Sequence, residues 1–318
     1  MPASTDTSGR ARRGLPIAAT VTVALAAVTL GAAAVRLQAV PAPAATPAAT
    51  PAAVEAPAAT ARVVTVTARD YAFLAPDTMF AGRTELRLVN QGPELHHAQI
   101  IRLEDGKTPA DLVRAMQAGG PPPAWIKEVG GPNAPAPGQT STTIVDLEPG
   151  TYMFLCFIPS PDGKPHVMKG MMKAFTVVPA PAATPATPAS TAAAGISTRP
   201  EPSVTMTLRD YGFDLSSPLT SGRHVIRVRN EAAQAHEVLF ARLAPGRTAQ
   251  DLVAWTEKPE GPPPALPLGG TVGMGRGVAN DVVLDLEPGE YALLCFLPDA
   301  KDGRPHVAHG MIQQVSVK

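Results

Sequence analysis

Apolar and polar positions alternate along several short stretches of the chain. In Thr84–Asn90 (TELRLVN), Leu86 and Leu88 fall on one side, with Glu85 and Arg87 on the other. Arg223–Asn230 repeats the pattern, with Ile226 and Val228 set against Arg227 and Arg229. A period of two predicts half-buried strands of antiparallel sheets. Gly82, Gly92, Gly150, Gly222 and Gly289 punctuate these stretches as turn residues. One short helix is expected over Thr108–Gln117, with Thr108 as its cap, Pro109 in its first turn and Gly119 ending it. A counterpart starts at Thr248. Short strands at regular spacing with one helix on a crossover predict a small all-β sandwich.

The longest apolar run has a different meaning. Gly14–Val35 carries no charge, and Arg10, Arg12 and Arg13 precede it. Its length suits a single N-terminal membrane span. A signal peptide ending near Ala32–Ala34 fits equally. The positive flank places the remainder outside the cytoplasm in both cases. Residues 39–61 and 179–202 are Pro-Ala runs and account for much of the chain's 36 prolines. Such runs are stiff spacers that cannot build a core. The expected organisation is therefore a signal or anchor over 1–38, a linker over 39–61, a domain over 62–178, a second linker over 179–202 and a second domain over 203–318.

The two domains are copies of one another. TARDYAF (Thr67–Phe73) matches TLRDYGF (Thr207–Phe213), and Asp111-Leu112-Val113 matches Asp251-Leu252-Val253. LEPGTYMFLCF matches LEPGEYALLCF further on. Repeats of this length are duplicated domains rather than solenoid units.

Charge and cysteine content narrow the chemistry. The 318 residues hold 27 Lys+Arg and 27 Asp+Glu, so no basic excess points to nucleic acid. With only Cys156 and Cys295, a disulfide scaffold and four-cysteine zinc or iron–sulfur sites are excluded.

One constellation recurs in both copies. Copy one has His96 after the Thr84–Asn90 stretch, then Cys156, His166 and Met171; copy two has His236, Cys295, His306 and Met311. Two imidazoles, a thiolate and a thioether make the ligand set of a type 1 copper site. The neighbouring His97 is expected to point away from the metal and lie exposed.

CFIPSPDGKPHVMKGM and CFLPDAKDGRPHVAHGM resemble the corresponding loop of the cupredoxins, and in particular the type 1 site of copper nitrite reductases, where a long loop separates Cys from a His five positions before a Gly-preceded Met. Gly170-Met171 and Gly310-Met311 fit that pattern. The resemblance implies two tandem Greek-key β-sandwiches, one copper each and up to two per chain, and one-electron exchange with redox protein partners outside the cytoplasm. His166 and His306 are the implied electron entry points. Copper storage or delivery and a copper-free interaction module are the alternatives. The nitrite reductases and multicopper oxidases place a His directly before the type 1 Cys. Here Leu155 and Leu294 stand there, and no His-x-His pair occurs. The expectation is therefore a carrier rather than an enzyme.

Overall fold

The computed structural model describes residues 61–181 and 201–318. The apolar run and most of both Pro-Ala runs lie outside the described residues. No helix among the described residues is long and apolar enough to cross a membrane.

The first domain runs β1 (Arg62–Arg69), β2 (Ala72–Leu74), β3 (Thr78–Phe80), β4 (Gly82–Asn90), β5 (Gln99–Leu103), α1 (Pro109–Ala118), β6 (Ile126–Gly130), β7 (Thr140–Leu147), β8 (Gly150–Leu155) and β9 (Met172–Val178). The second runs β10 (Val204–Arg209), β11 (Gly212–Leu215), β12 (Gly222–Asn230), β13 (His236–Leu243), α2 (Ala249–Glu257), β14 (Ala265–Met274), β15 (Ala279–Leu286), β16 (Gly289–Leu294) and β17 (Ile312–Val317). The fold is all-β, as the alternation implies. Leu86 and Leu88 are fully buried on the inner side of β4, while Arg87 faces outward.

Each domain is a sandwich with its own core. In the first, Phe154 stacks on Phe175 with ring centroids 4.5 Å apart, among Leu86, Leu88, Tyr152 and Val145. Burying each such side chain contributes about 1.5–3 kcal/mol. Cys156 and Met171 belong to this core, as Cys295 and Met311 belong to the second. The candidate sulfur ligands are thus held by packing. Each helix covers the outer face of a sheet: Leu112 meets Ile101, Leu103 and Met153, and Leu252 meets Ala241 and Ala292.

The two sandwiches are joined edge to edge in both layers. One sheet of eight strands has the order β11-β10-β12-β15-β7-β4-β1-β2, and the other, of nine, β17-β16-β13-β14-β6-β5-β8-β9-β3. β7 and β15 pair antiparallel, with Thr143 opposite Val282; β6 meets β14 at Val129 and Met274. The joined strands are equivalent in the two copies, so the junction has approximate twofold symmetry. Asn133 N–H donates to Gly270 O (3.1 Å), and Val272 N–H returns the bond to Gly131 O (3.0 Å). The glycine pairs are required by closeness. A Cβ on Gly131 would lie 2.3 Å from Ala98 O, and one on Gly270 2.0 Å from Val238 O. Arg83 of β4 reaches across to Asp281 of β15, which also takes a bond from Arg227.

Candidate metal centres

Three elements bring each donor group together. Asn90, at the end of β4, donates from Nδ2 to Glu94 O (2.8 Å) and accepts from Gly92 N–H (3.0 Å). This folds the following segment back so that His96 turns inward. Cys156 immediately follows β8. His166 opens a short 3-10 turn that ends at Gly170, which adopts the left-handed conformation (φ 96°).

The Cys–His loop is closed by a ladder of backbone bonds. His166 N–H donates to Ile158 O, Val167 N–H to Cys156 O, and Cys156 N–H to Met171 O. A bridge between Pro159 and Pro165 pins its base. The second domain repeats every one of these bonds with Leu297, Cys295 and Met311, and the bridge with Pro298 and Pro305. Its extra residue lies in the turn beyond the bridge, so both loops present the same donors.

In the first domain, His96 Nδ1 lies 3.1 Å from His166 Nδ1, which lies 3.4 Å from Cys156 Sγ. In the second, His236 Nδ1 and His306 Nδ1 are 3.0 Å apart, with Cys295 Sγ at 3.9 and 3.2 Å from them. All six residues are fully buried, as are Met171 and Met311. Each group's three ligand atoms lie within 4.8 Å of one another. The structure thus brings His96, Cys156 and His166 together, and likewise His236, Cys295 and His306. Met171 and Met311 belong to the same hydrophobic cores as Cys156 and Cys295.

The outer nitrogens decide the tautomers. His96 Nε2–H donates to Asp70 Oδ1 (2.5 Å) and His166 Nε2–H to Glu94 Oε2 (2.9 Å). His236 Nε2–H donates to Asp210 Oδ1 (3.0 Å). His306 Nε2 faces Asp299 at 3.7 Å and has no hydrogen-bond partner among the described residues. With Nε2 protonated, Nδ1 keeps its lone pair for a metal, the arrangement that orients and strengthens imidazole ligands. Burial holds the His96 and His236 pKa values below the ordinary imidazole range and takes His306 to about 4. These rings are therefore neutral near pH 7. Burial also pushes the Cys156 thiol up to about 11 and raises that of Cys295. Such thiols release their protons when a cation binds. Two imidazoles and a buried sulfur, with a methionine in the same core as the cysteine, suit copper by ligand softness.

A tyrosine roofs each group. Tyr71 packs on His166 with ring centroids 4.8 Å apart and donates to Glu94 Oε1 (2.8 Å). Tyr211 lies against His306 at 5.7 Å and donates to Asp299 Oδ2 (2.5 Å). The carboxylate comes from different places in the two copies. Glu94 is replaced by Gln234, and Ser160 by Asp299. Asp70, Tyr71, Glu94 and Asp299 escaped the sequence reading. The repeated RDY of Arg69–Tyr71 and Arg209–Tyr211 was the available signal.

His166 and His306 are fully buried, each beneath a tyrosine and beside a carboxylate. One expectation changes: His97 is not exposed. It is buried, and its Nε2 accepts from Phe157 N–H (2.9 Å). Burial takes its pKa to about 3, which keeps that nitrogen an acceptor.

No protein-family model matches the chain, and no curated protein matches it. Solved structures do. Auracyanin from Roseiflexus castenholzii is 20% identical with a TM-score of 0.27, over 38% of this chain and 99% of its own. A blue copper oxidase from Nitrosomonas europaea is 14% identical with a TM-score of 0.22, over 81% and 85%. A copper-containing nitrite reductase from Thermus scotoductus is 11% identical with a TM-score of 0.21, over 80% and 61%. The expectation that the chain is no enzyme is corrected here. An oxidase and a nitrite reductase stand among these structures. Leu155 and Leu294 exclude only one placement of a further metal ligand, and Asp299, Asp302 and His309 form another close group beside the second centre. Its two sandwiches, each holding one His–Cys–His group, give the chain a cupredoxin-like fold in two domains.

Proposed function

We propose that the protein binds one copper ion in each domain, at His96, Cys156, His166 and Met171 and at His236, Cys295, His306 and Met311, and passes single electrons between redox protein partners outside the cytoplasm. The observation that carries this reading is the same buried convergence of two Nδ1 atoms and one Sγ in both domains. Bound copper would supply a one-electron couple, Cu(II) to Cu(I) and back, with no bond made or broken. The chain's part is rigidity. The backbone ladders, with carboxylates hydrogen-bonded to His96, His166 and His236, fix the donors in one arrangement, which keeps reorganisation small on electron transfer. Complete burial excludes water and disfavours rapid copper exchange, so it favours electron transfer over copper delivery. The charge-free Gly14–Val35 run after three arginines supports an extracytoplasmic site, either tethered or released.

The test is the visible and EPR spectrum of the copper-loaded, oxidised protein, with copper counted per chain. The expected result is an intense thiolate-to-copper band with a narrow hyperfine splitting at about two coppers per chain. Cys156→Ser should remove about half of that band. A colourless protein without stoichiometric copper overturns the reading. Fractionation of cells producing the full chain tests the location, and a cytoplasmic pool alone would contradict it.

A further inference from the structure

The residue after the first histidine ligand differs between the copies, yet it does the same work in both. Glu237 Oε1 accepts from Phe296 N–H (2.9 Å), as His97 Nε2 accepts from Phe157 N–H (2.9 Å). Each of these amides directly follows the cysteine ligand. Glu237 also donates its own N–H to Cys295 Sγ (3.5 Å), so this one residue grips the sulfur's surroundings from two sides.

Glu237 is itself held by the other domain. Asn133 Oδ1 accepts from Ala134 N–H (2.8 Å), which fixes the amide's orientation. Its Nδ2 is then directed at Glu237 Oε2 and Val238 O, both at 3.3 Å. Asn133 and Glu237 are both buried. The approximate twofold of the junction supplies an internal control. Val272 is the equivalent of Asn133, as the reciprocal bonds to Gly131 and Gly270 show. Where the supporting residue is His97, the position equivalent to Asn133 in the other domain is the apolar Val272. Where it is Glu237, the facing domain offers an amide donor. The second oxygen of a buried carboxyl group needs such a donor, whereas the accepting nitrogen of His97 already takes Phe157 N–H.

We propose that Asn133 of the first domain is a positioning residue for the second metal centre, acting through Glu237 on the environment of Cys295. The second centre is then complete only when the first domain is docked, and the two centres differ in potential despite sharing one ligand set. The inference rests on the copper reading above and goes beyond it.

The experiment is a double-mutant cycle on the copper-loaded full chain in a Cys156→Ser background, where only the second centre gives a thiolate band. Reduction potential and band position are read for the Asn133→Val and Glu237→His variants and for the pair. Asn133→Val is expected to shift both readouts when Glu237 is present and to leave both unchanged in the Glu237→His chain. In a Cys295→Ser background, Asn133→Val should leave the first centre's signal as it was. Equal shifts with and without Glu237, or no shift in either, overturn the proposal. If Asn133→Val does not fold, Asn133→Asp retains the bond to Ala134, removes the donor and runs through the same cycle. Absence of any band before Asn133 is altered counts against copper binding, not against the role of Asn133.

Discussion

Gly92 and Ala232 hold the same place in the two copies, and one methyl group separates their consequences. A Cβ on Gly92 would lie 2.4 Å from Asp70 Oδ1 and 2.6 Å from His96 Nε2. The first domain thus closes Asp70 onto His96 at 2.5 Å, while the second, with its methyl group, leaves Asp210 at 3.0 Å from His236. Asp210 is also the more exposed carboxylate, at 46% against 22% for Asp70. Gly92→Ala should therefore loosen the first centre toward the geometry of the second. Removing the carboxylate outright, in Asp70→Ala, should weaken copper binding there by about 10- to 100-fold, measured by competition with a chelator. The ligand residues were legible because chemistry allows few substitutes for a thiolate and two imidazoles. The residues behind them were not. Glu94 faces Gln234 in the repeat, so it looks dispensable until Asp299 is seen to supply the missing carboxylate from another loop.

At the scale of elements, α1 and α2 show which local signals are self-contained. Thr108 and Asp111 form a reciprocal capping box, and Thr248 and Asp251 form the same one. Thr108→Ala or Thr248→Ala should each cost about 1 kcal/mol in denaturant unfolding. The cap also carries a pH signature. Its hydrogen bonds to Thr108 pull the Asp111 pKa down to about 2. A depressed carboxylate stabilises the fold above its unfolded pKa. Protection of the α1 amides should therefore decline as the pH falls from the ordinary aspartate range through about 2, as hydrogen exchange would register. Helix start, strand alternation and turn glycines could be read from the chain because each depends on neighbours in sequence. Closure of the Cys–His loop could not. It depends on bonds from Cys156 to Val167 and Met171 that no local pattern announces.

At the scale of the whole molecule, the Pro-Ala run between the copies suggests independent heads, whereas the copies share two continuous sheets. Nothing in TSTTIVDL or ANDVVLDL distinguishes a strand that pairs within its own domain from one that also pairs across the junction. The protein should unfold in one cooperative transition. Asp281→Ala, which strips Arg83 and Arg227 of a shared buried partner, should lower stability by about 2–3 kcal/mol without splitting that transition; this is less than for a fully buried pair, because Arg83 retains Asp146. Complete burial of the donors has a kinetic counterpart. An ion cannot reach Cys156 or Cys295 while the ladders around them stay closed, so metal uptake must wait for a local opening. The uptake rate should then climb with copper concentration only to a plateau, and the plateau is the frequency with which the loop between Cys156 and Met171, or its twin, comes undone.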